Sequence, residues 1–460
     1  MNTQNVYLYI LAFIIALGIT IGYSCTHKKL FVPPARSEVK HPDWTKNAVI
    51  YEVNIRQFTK EGTFKAFEKD LPRLKDLGID ILWVMPVQPI GLKGRKGKLG
   101  SYYSVRDYKA INPEFGKMDD FKHLVKATHQ LGMKIIIDWV PNHTSLDNDL
   151  IKKHPEYYMK DSAGKFVSPF DWTDVIRLDY KKPEMRKYMV ETMLWWLTET
   201  DIDGFRCDVA HMIPVSFWDE LRPQLEKIKP IFMLAEADIP EQQQKGFDMS
   251  YDWKFHHIMN DIARGKKKAT AIRKHFNWVD SVYPGNSYLM QFTSNHDENS
   301  WNGSEYERLG AGAKTFAVLT ATVPDMLLLY NGQEAAFNRR LKFFEKDTIT
   351  WGKYSLTSFY KSLISLKKSN KALWNGAEGG KIQSVATNRD SSVFAFVREK
   401  ENQKVLVILN LSARQLEAKL KSPLLAGNYV ELFTQQPKSF REKEKIALKA
   451  WEYLVYVGKE

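Results

Sequence analysis

"GFRCDVAHM", Gly204 to Met212, sets an arginine and an aspartate two residues apart inside a stretch that otherwise reads as a buried strand. Residues two apart on a strand point to the same side, so Arg206 and Asp208 share a face. Burying two charges is costly unless each meets a partner. That face must therefore look into a polar site at the end of the strand.

Working outward, apolar runs of strand length recur along the chain: "AVIYEVNI" from Ala48, "IDILWVMPV" from Ile79, "KIIIDWV" from Lys134, "GFRCDVA" from Gly204, "IFMLAEA" from Ile231, "YLMQFTSN" from Tyr288 and "MLLLYNG" from Met326. Unbroken apolar runs mark parallel strands covered on both faces. A sixth strand near "GFDMSYD" brings the number to eight. Helical patterns alternate with them, as in "TFKAFEKDLPRLKDLG", "MDDFKHLVKATHQLG" and "KPEMRKYMVETMLWWLTE". The first two end in the glycine that a helix C-terminus favours. Eight such units predict a (β/α)8 barrel over residues 44–371, an α/β fold whose reactive groups sit at the C-terminal ends of the strands.

The polar residues fall at those ends. Asp138, Asn142 and His143 close the third strand, Arg206 and Asp208 the fourth, Glu236 the fifth, and His296 and Asp297 the seventh. The long gap between the third and fourth strands predicts an insertion at about residues 144–177. Past "FYKSLISLKKS" the pattern turns to alternating strands such as "SSVFAFVRE" and "KVLVILNLS". Residues 372–460 are therefore expected to form a C-terminal antiparallel β-sandwich domain.

The 460 residues, 44% hydrophobic and 13% aromatic, describe a globular protein. The run Val6 to Ser24 is almost wholly apolar, carries no charge and leads to Cys25. Residues 1–24 thus read as an export signal or a membrane anchor, and residues 25–43 as a polar tether. The spacing resembles that of a bacterial lipoprotein signal, which implies lipidation at Cys25 and a location on the periplasmic side or cell surface. The one other cysteine, Cys207, lies in a strand, which argues against a disulfide. The formal charge of +13 is read as scattered surface lysine. The densest basic run, "GLKGRKGKLGS" from Gly91 to Ser101, lacks the spacing of a phosphate-binding loop and is expected to be a mobile loop near a site mouth. No nucleic-acid motif is present, and no motif sets an oligomeric state.

Three carboxylates converging on one barrel mouth suit glycosidic cleavage: one attacks, one donates a proton, and one steadies the developing positive charge. An adjacent Arg206 should keep Asp208 ionised, while crowding among carboxylates favours a proton on the acid.

These residues carry a resemblance. "DWVPNH" (Asp138 to His143), "GFRCDVAH" (Gly204 to His211), the Glu236 of "LAEA" and "SNHDE" (Ser294 to Glu298) resemble the four ordered signature regions of the α-amylase family, glycoside hydrolase family 13. "GIDILWVMP", "YSVRDYKAINPEFG" and "YNGQE" support it. The resemblance implies a retaining enzyme with Asp208 as nucleophile, Glu236 as general acid/base and Asp297 as transition-state stabiliser. It further implies that His143 and His296 bond sugar hydroxyls, that Arg206 orients Asp208 and that Tyr103 stacks on the sugar ring. Asp138 would support the site more than react. No cofactor is implied for the chemistry; a structural calcium is possible through Asn142, although "RQFTKEGTFKAF" lacks the Asp-rich calcium turn of some relatives. The expected partner is an α-glucan or maltooligosaccharide. Trp139, Trp172 and Trp301 are core residues or sugar platforms, and Tyr102 is the packing alternative to Tyr103.

One departure is clear. His211 and Met212 stand where typical starch-degrading members have Lys-His, so the subsites for the leaving part of the substrate differ. Competing readings are a transglycosylase, an α-1,6-acting relative, and a membrane-anchored transporter heavy chain with an amylase-like ectodomain. Members of the last class have degraded catalytic residues, which survive here.

Overall fold

The computed structural model describes residues 37–352 and 354–459. The signal or anchor, Cys25 and most of the tether lie outside the described residues. Among those described, no helix is long and apolar enough to cross a membrane.

The chain forms strands β1 (Ile50–Val53), β2 (Ile81–Val84), β3 (Lys134–Trp139), β4 (His143–Ser145), β5 (Val175–Arg177), β6 (Gly204–Cys207), β7 (Phe232–Ala235), β8 (Met249–Tyr251), β9 (Tyr288–Gln291) and β10 (Met326–Tyr330). Eight of them close a parallel barrel in the order β1-β2-β3-β6-β7-β8-β9-β10. The expected sixth strand is present as the short β8. β4 and β5 pair antiparallel inside the insertion between β3 and β6.

Strand parity explains the opening motif. Ile50, Ile81, Trp83, Ile136, Phe232, Leu234, Met249 and Tyr251 alternate into the barrel interior and form one apolar cluster. Their strand neighbours, such as Tyr51, Leu82, Ile135, Ile137 and Met233, face outward into the larger core shared with the helices. Continuing the interior parity to the C-terminal ends gives Glu52, Asp138 and Arg206, with Asp138 registered against Arg206. The topmost interior layer is thus charged where the lower layers are apolar. At the other end of β6, Gly204 (φ +149) starts the strand so close to β7 that a Cβ would collide with the Phe232 carbonyl oxygen.

The helices follow their sequence signals with one difference. The pattern from Thr63 to Gly78 divides into Phe64–Glu68 and Leu71–Leu77. Pro72 occupies the first turn of the second helix, where its missing N–H costs nothing, and Gly78 (φ +102) caps its end. Met118–Gln130 and Pro183–Thr200 are continuous.

The C-terminal region contains β11 (Gln383–Thr387), β12 (Val393–Lys400), β13 (Gln403–Asn410), β14 (Leu416–Lys421), β15 (Gly427–Glu431), β16 (Pro437–Phe440), β17 (Lys443–Leu448) and β18 (Tyr453–Gly458). They form one antiparallel sheet in the order β16-β15-β18-β13-β12-β11-β14-β17. The first half of β11 pairs with β12 and its end pairs with β14, so the sheet turns over at β11. Val393, Ala395 and Val397 face a core shared with Ala418, Leu420 and Leu448 of the turned-over part. The alternate residues Phe394, Phe396, Val405 and Val407 join the core of the barrel helices.

Candidate active site

Residues from six strand ends meet at one mouth of the barrel. Arg206 is fully buried and is the hub. Its Nη1 donates to Asp138 Oδ1 at 2.8 Å and to Asp208 Oδ1 at 3.1 Å, and its Nε lies 3.2 Å from the Tyr251 hydroxyl. Its Nη2 lies 3.0 Å from Glu236 Oε2, an ion pair whose angle makes no hydrogen bond. Asp208 Oδ2 is buried without a partner, next to a cavity of about 580 Å³. That cavity is lined by Tyr103, His143, Asp208, Glu236, His296 and Asp297, among others.

A second chain of contacts runs beside the hub. The Tyr103 hydroxyl donates to Asp138 Oδ2 at 3.0 Å and lies 2.7 Å from His296 Nε2. His296 Nδ1 meets Glu52 Oε1 at 2.5 Å, and its Nε2 lies 3.3 Å from Asp297 Oδ2. The Tyr103 ring stacks on the His296 ring at 5.4 Å. Val209, directly after Asp208, is held at φ +38, a rare conformation for a β-branched residue. The turn aims its N–H at Glu236 Oε2, 2.7 Å away. The chain thus stores strain where it must bring Asp208 and Glu236 together.

The electrostatics follow from burial among like charges. Burial and the Glu236 charge push the Asp208 carboxyl well above the usual range, outweighing Arg206. This differs from the expectation that the adjacent Arg206 keeps Asp208 ionised. Burial likewise raises Asp138 to about 6 against the pull of Arg206 and His296. Burial, reinforced by Glu236, raises Asp297 although His296 opposes it. Burial would lower His296, but Asp297 and Glu52 lift it to about 9, so the ring is a cation at neutral pH. His143 is pushed down to about 4 by burial and is neutral.

The structure separates residues that the sequence left together. Tyr103 lines the cavity, whereas the buried Tyr102 packs under the Arg56 guanidinium, 4.2 Å from its ring. Trp139 is core, with its Nε1 on the Met189 sulfur at 3.3 Å. Trp172 and the half-exposed Trp301 stand on the cavity lining. Asp138 is fully buried below the cavity. Asn142 is also buried, with its amide nitrogen 3.2 Å from His143 Nδ1. Among the described residues no three His, Cys, Asp or Glu side chains are grouped to hold a metal ion. The loop Gly91–Ser101, expected near a site mouth, reaches the mouth through Lys96, and hydrogen bonds from the Leu92 N–H to Asp147 and from the Lys98 N–H to Glu345 tie it on both sides. Glu52, Trp83 (Nε1 3.2 Å from Asp138 Oδ2), Tyr251 and Phe343 were missed. A glutamate inside the apolar run "AVIYEVNI" is the same signal as Arg206 and could have identified Glu52.

Comparison with known proteins agrees with this geometry. A family model of the α-amylase catalytic domain matches residues 43–176 and 159–355, and one of the maltogenic amylase C-terminal domain matches residues 383–455. The α-amylase MalA of Haloarcula japonica is 26% identical over 417 residues, 86% of this chain; the chain spans 60% of that relative's length. Two solved structures are 30% identical and cover 90% of this chain and 99% of their own. They are the noncanonic maltogenic α-amylase AmyB from Thermotoga neapolitana, with a TM-score of 0.83, and an α-amylase from Lactobacillus plantarum, with 0.81. With the barrel, the ordered motifs and the family model in agreement, the chain belongs to the α-amylase family of glycoside hydrolases.

Proposed function

We propose that the protein is a retaining glycoside hydrolase that cleaves α-1,4-glucosidic bonds in starch-like α-glucans or maltooligosaccharides. The observation that carries this reading is the pair Asp208 and Glu236 on one buried guanidinium, with Asp208 Oδ2 unbonded beside the cavity. Two carboxyl groups within reach of one arginine favour the short spacing, roughly 5–5.5 Å, of a retaining pair.

In the first step Asp208 Oδ2 bonds to the anomeric carbon while the glycosidic C–O bond breaks and Glu236 gives its proton to the departing oxygen. In the second, water attacks the same carbon, Glu236 takes the water's proton, and the bond to Asp208 breaks. The charge distribution supports these roles. Burial raises Asp208 most and the neighbouring Glu236 carboxylate adds to it, while Arg206 pulls the other way; a proton delivered from Glu236 to the departing oxygen and an Asp208 carboxylate facing Arg206 are the states the first step needs. Asp297 and the His296 cation sit beside each other on the cavity, where they would bind the sugar hydroxyls as charge develops on the ring. His143, neutral, and Tyr103 complete that subsite.

Replacing Asp208 by Asn should lower sugar release from maltoheptaose by at least ~10⁴-fold with the fold intact. Undiminished release would overturn the assignment, and preferential release from pullulan would favour the α-1,6-acting reading.

The reading extends to location. The apolar Val6–Ser24 followed by Cys25 supports export and lipid attachment at that cysteine. Fatty-acid label should enter the full chain and be lost in Cys25→Ala; equal label in both would exclude lipidation.

A further inference from the structure

One side of the cavity takes no part in the steps above. Glu236 follows β7, which stands across the closed barrel from β1. The loops after β2 and β10, the two neighbours of β1, therefore lie on the side away from the group that protonates the departing sugar. On the glucan-hydrolase reading, sugars retained on Asp208 extend toward that side. It carries the basic loop "GLKGRKGKLGS", Gly91 to Ser101.

A bridge between Ile90 and Val105 pinches the base of this loop, as in a compact Ω-loop. One flank is tied to the insertion: the Leu92 N–H donates to Asp147 Oδ2 at 2.9 Å, and Lys96 Nζ lies 3.2 Å from the buried Asp174 Oδ1. The other flank is tied to the loop after β10. There the Leu99 N–H donates to the Phe344 carbonyl and the Lys98 N–H to Glu345 Oε1, each at 3.0 Å. Gly97 (φ +61) lets the backbone press so closely on that loop that a Cβ would stand 2.6 Å from Phe344 Cβ. Lys96, Asp174 and Phe344 all line the cavity. The loop is a strap running from the insertion to the β10 loop across one end of the site.

We infer that this strap is an end wall, so that the site takes a maltooligosaccharide by its non-reducing end and releases short products from that end. The inference rests on the glucan-hydrolase reading of the same site. A cavity of about 580 Å³ is in the range of small-ligand sites and suits a short stretch of glucan. Two ionic or hydrogen-bonded ties on each flank give the wall the stiffness to refuse a longer chain, where a loose loop would yield.

The test uses the full chain and two p-nitrophenyl maltoheptaosides, one with a free non-reducing end and one with that end blocked by a bulky acetal, with products resolved by mass spectrometry. The free substrate should be cleaved at least ~10-fold faster, because a filled subsite rejects added bulk. In the double variant Lys96→Ala with Asp174→Ala the ratio should fall toward one and longer products should appear from the non-reducing end. Equal rates on both substrates in the wild type, with internal cleavage from the first turnovers, would overturn the inference even if the variant fails to fold. So would a folded variant with an unchanged ratio and unchanged product lengths. No cleavage of either substrate by the wild type would instead overturn the underlying glucan-hydrolase reading.

Discussion

Among the arginines fully buried in the described residues, Arg206 and Arg398 do opposite things. Arg206 faces Asp138, Asp208, Glu236 and the Tyr251 hydroxyl; burial disfavours its charge, but the carboxylates hold it well above the ordinary arginine range. Arg398, on β12, touches no carboxylate. It donates to the carbonyl oxygens of Gly380 (2.7 Å), Val323 (2.8 Å), Thr322 (3.1 Å) and Trp374 (3.1 Å), and burial drives it down to about 9. Lys367, also buried, repeats the pattern on the carbonyls of Asp325 and Leu373. The partner decides the role of a buried charge. Asp208 and Glu236, on Arg206, remain available to a ligand because they open onto a cavity, whereas the carbonyls around Arg398 are spent joining the β domain to the barrel.

Within this comparison the largest effect should come from exchanging each arginine for an apolar residue of similar length. Arg206→Met should cut turnover of maltoheptaose roughly 10²–10³-fold through lost organisation of the carboxylates. Arg398→Met should leave turnover at 25 °C near the wild-type value. It strands four carbonyls, each worth about 1–3 kcal/mol, so its thermal midpoint should fall by at least ~5 °C. A stable Arg398→Met protein, or an active Arg206→Met one, would break the comparison.

A second effect is the pH profile. Asp138, at about 6, must be ionised to bind Arg206, and His296, at about 9, must be protonated to present a cation to the sugar. The profile of kcat/KM should therefore fall below about pH 6 and above about pH 9. A flat profile from pH 5 to 10 would remove the charged layer from the account. The same shift bears on stability: the contribution from His296 is full below the unfolded histidine value and is lost as pH rises through about 9.

The smallest effect belongs to the junction. Burial raises Asp325 to about 6, so the folded state holds that proton more tightly than the unfolded chain. Its contribution is greatest at low pH and is lost as pH rises from the unfolded value through about 6. Asp325→Asn keeps the bond from the Gly376 N–H and tolerates the φ of +80. Its thermal midpoint should match the wild type near pH 4 and exceed it by a few degrees at pH 8. A constant difference across that range would contradict the assignment.

The same contrast shows what was legible in the sequence. The barrel could be read because strands covered on both faces are continuous apolar runs, and even β8, only three residues long, stood out by position in the count. The hub was legible because two charges in such a run have no other explanation. Arg398 was not, since an arginine near the end of "SSVFAFVRE" reads as solvated, and its carbonyl partners carry no side-chain signature. Glu52 carries the same signal in the first strand as Arg206 does in the fourth, a charge inside an apolar run, but without a second charge two residues on to mark it. The strap was located near the mouth, but its rigidity was hidden because its ties come from Asp147, Asp174 and Phe344, residues remote in sequence.

The central claim is that Asp208, held by Arg206, forms a bond to the substrate. Incubation with a fluorinated glucosyl fluoride that forms but does not readily release a glycosyl-enzyme, followed by peptide mass spectrometry, tests it directly. The account predicts one added sugar on the peptide containing Asp208, and none in Asp208→Asn. A sugar on another residue, or an active enzyme that accumulates no adduct and inverts the anomeric centre, would contradict it.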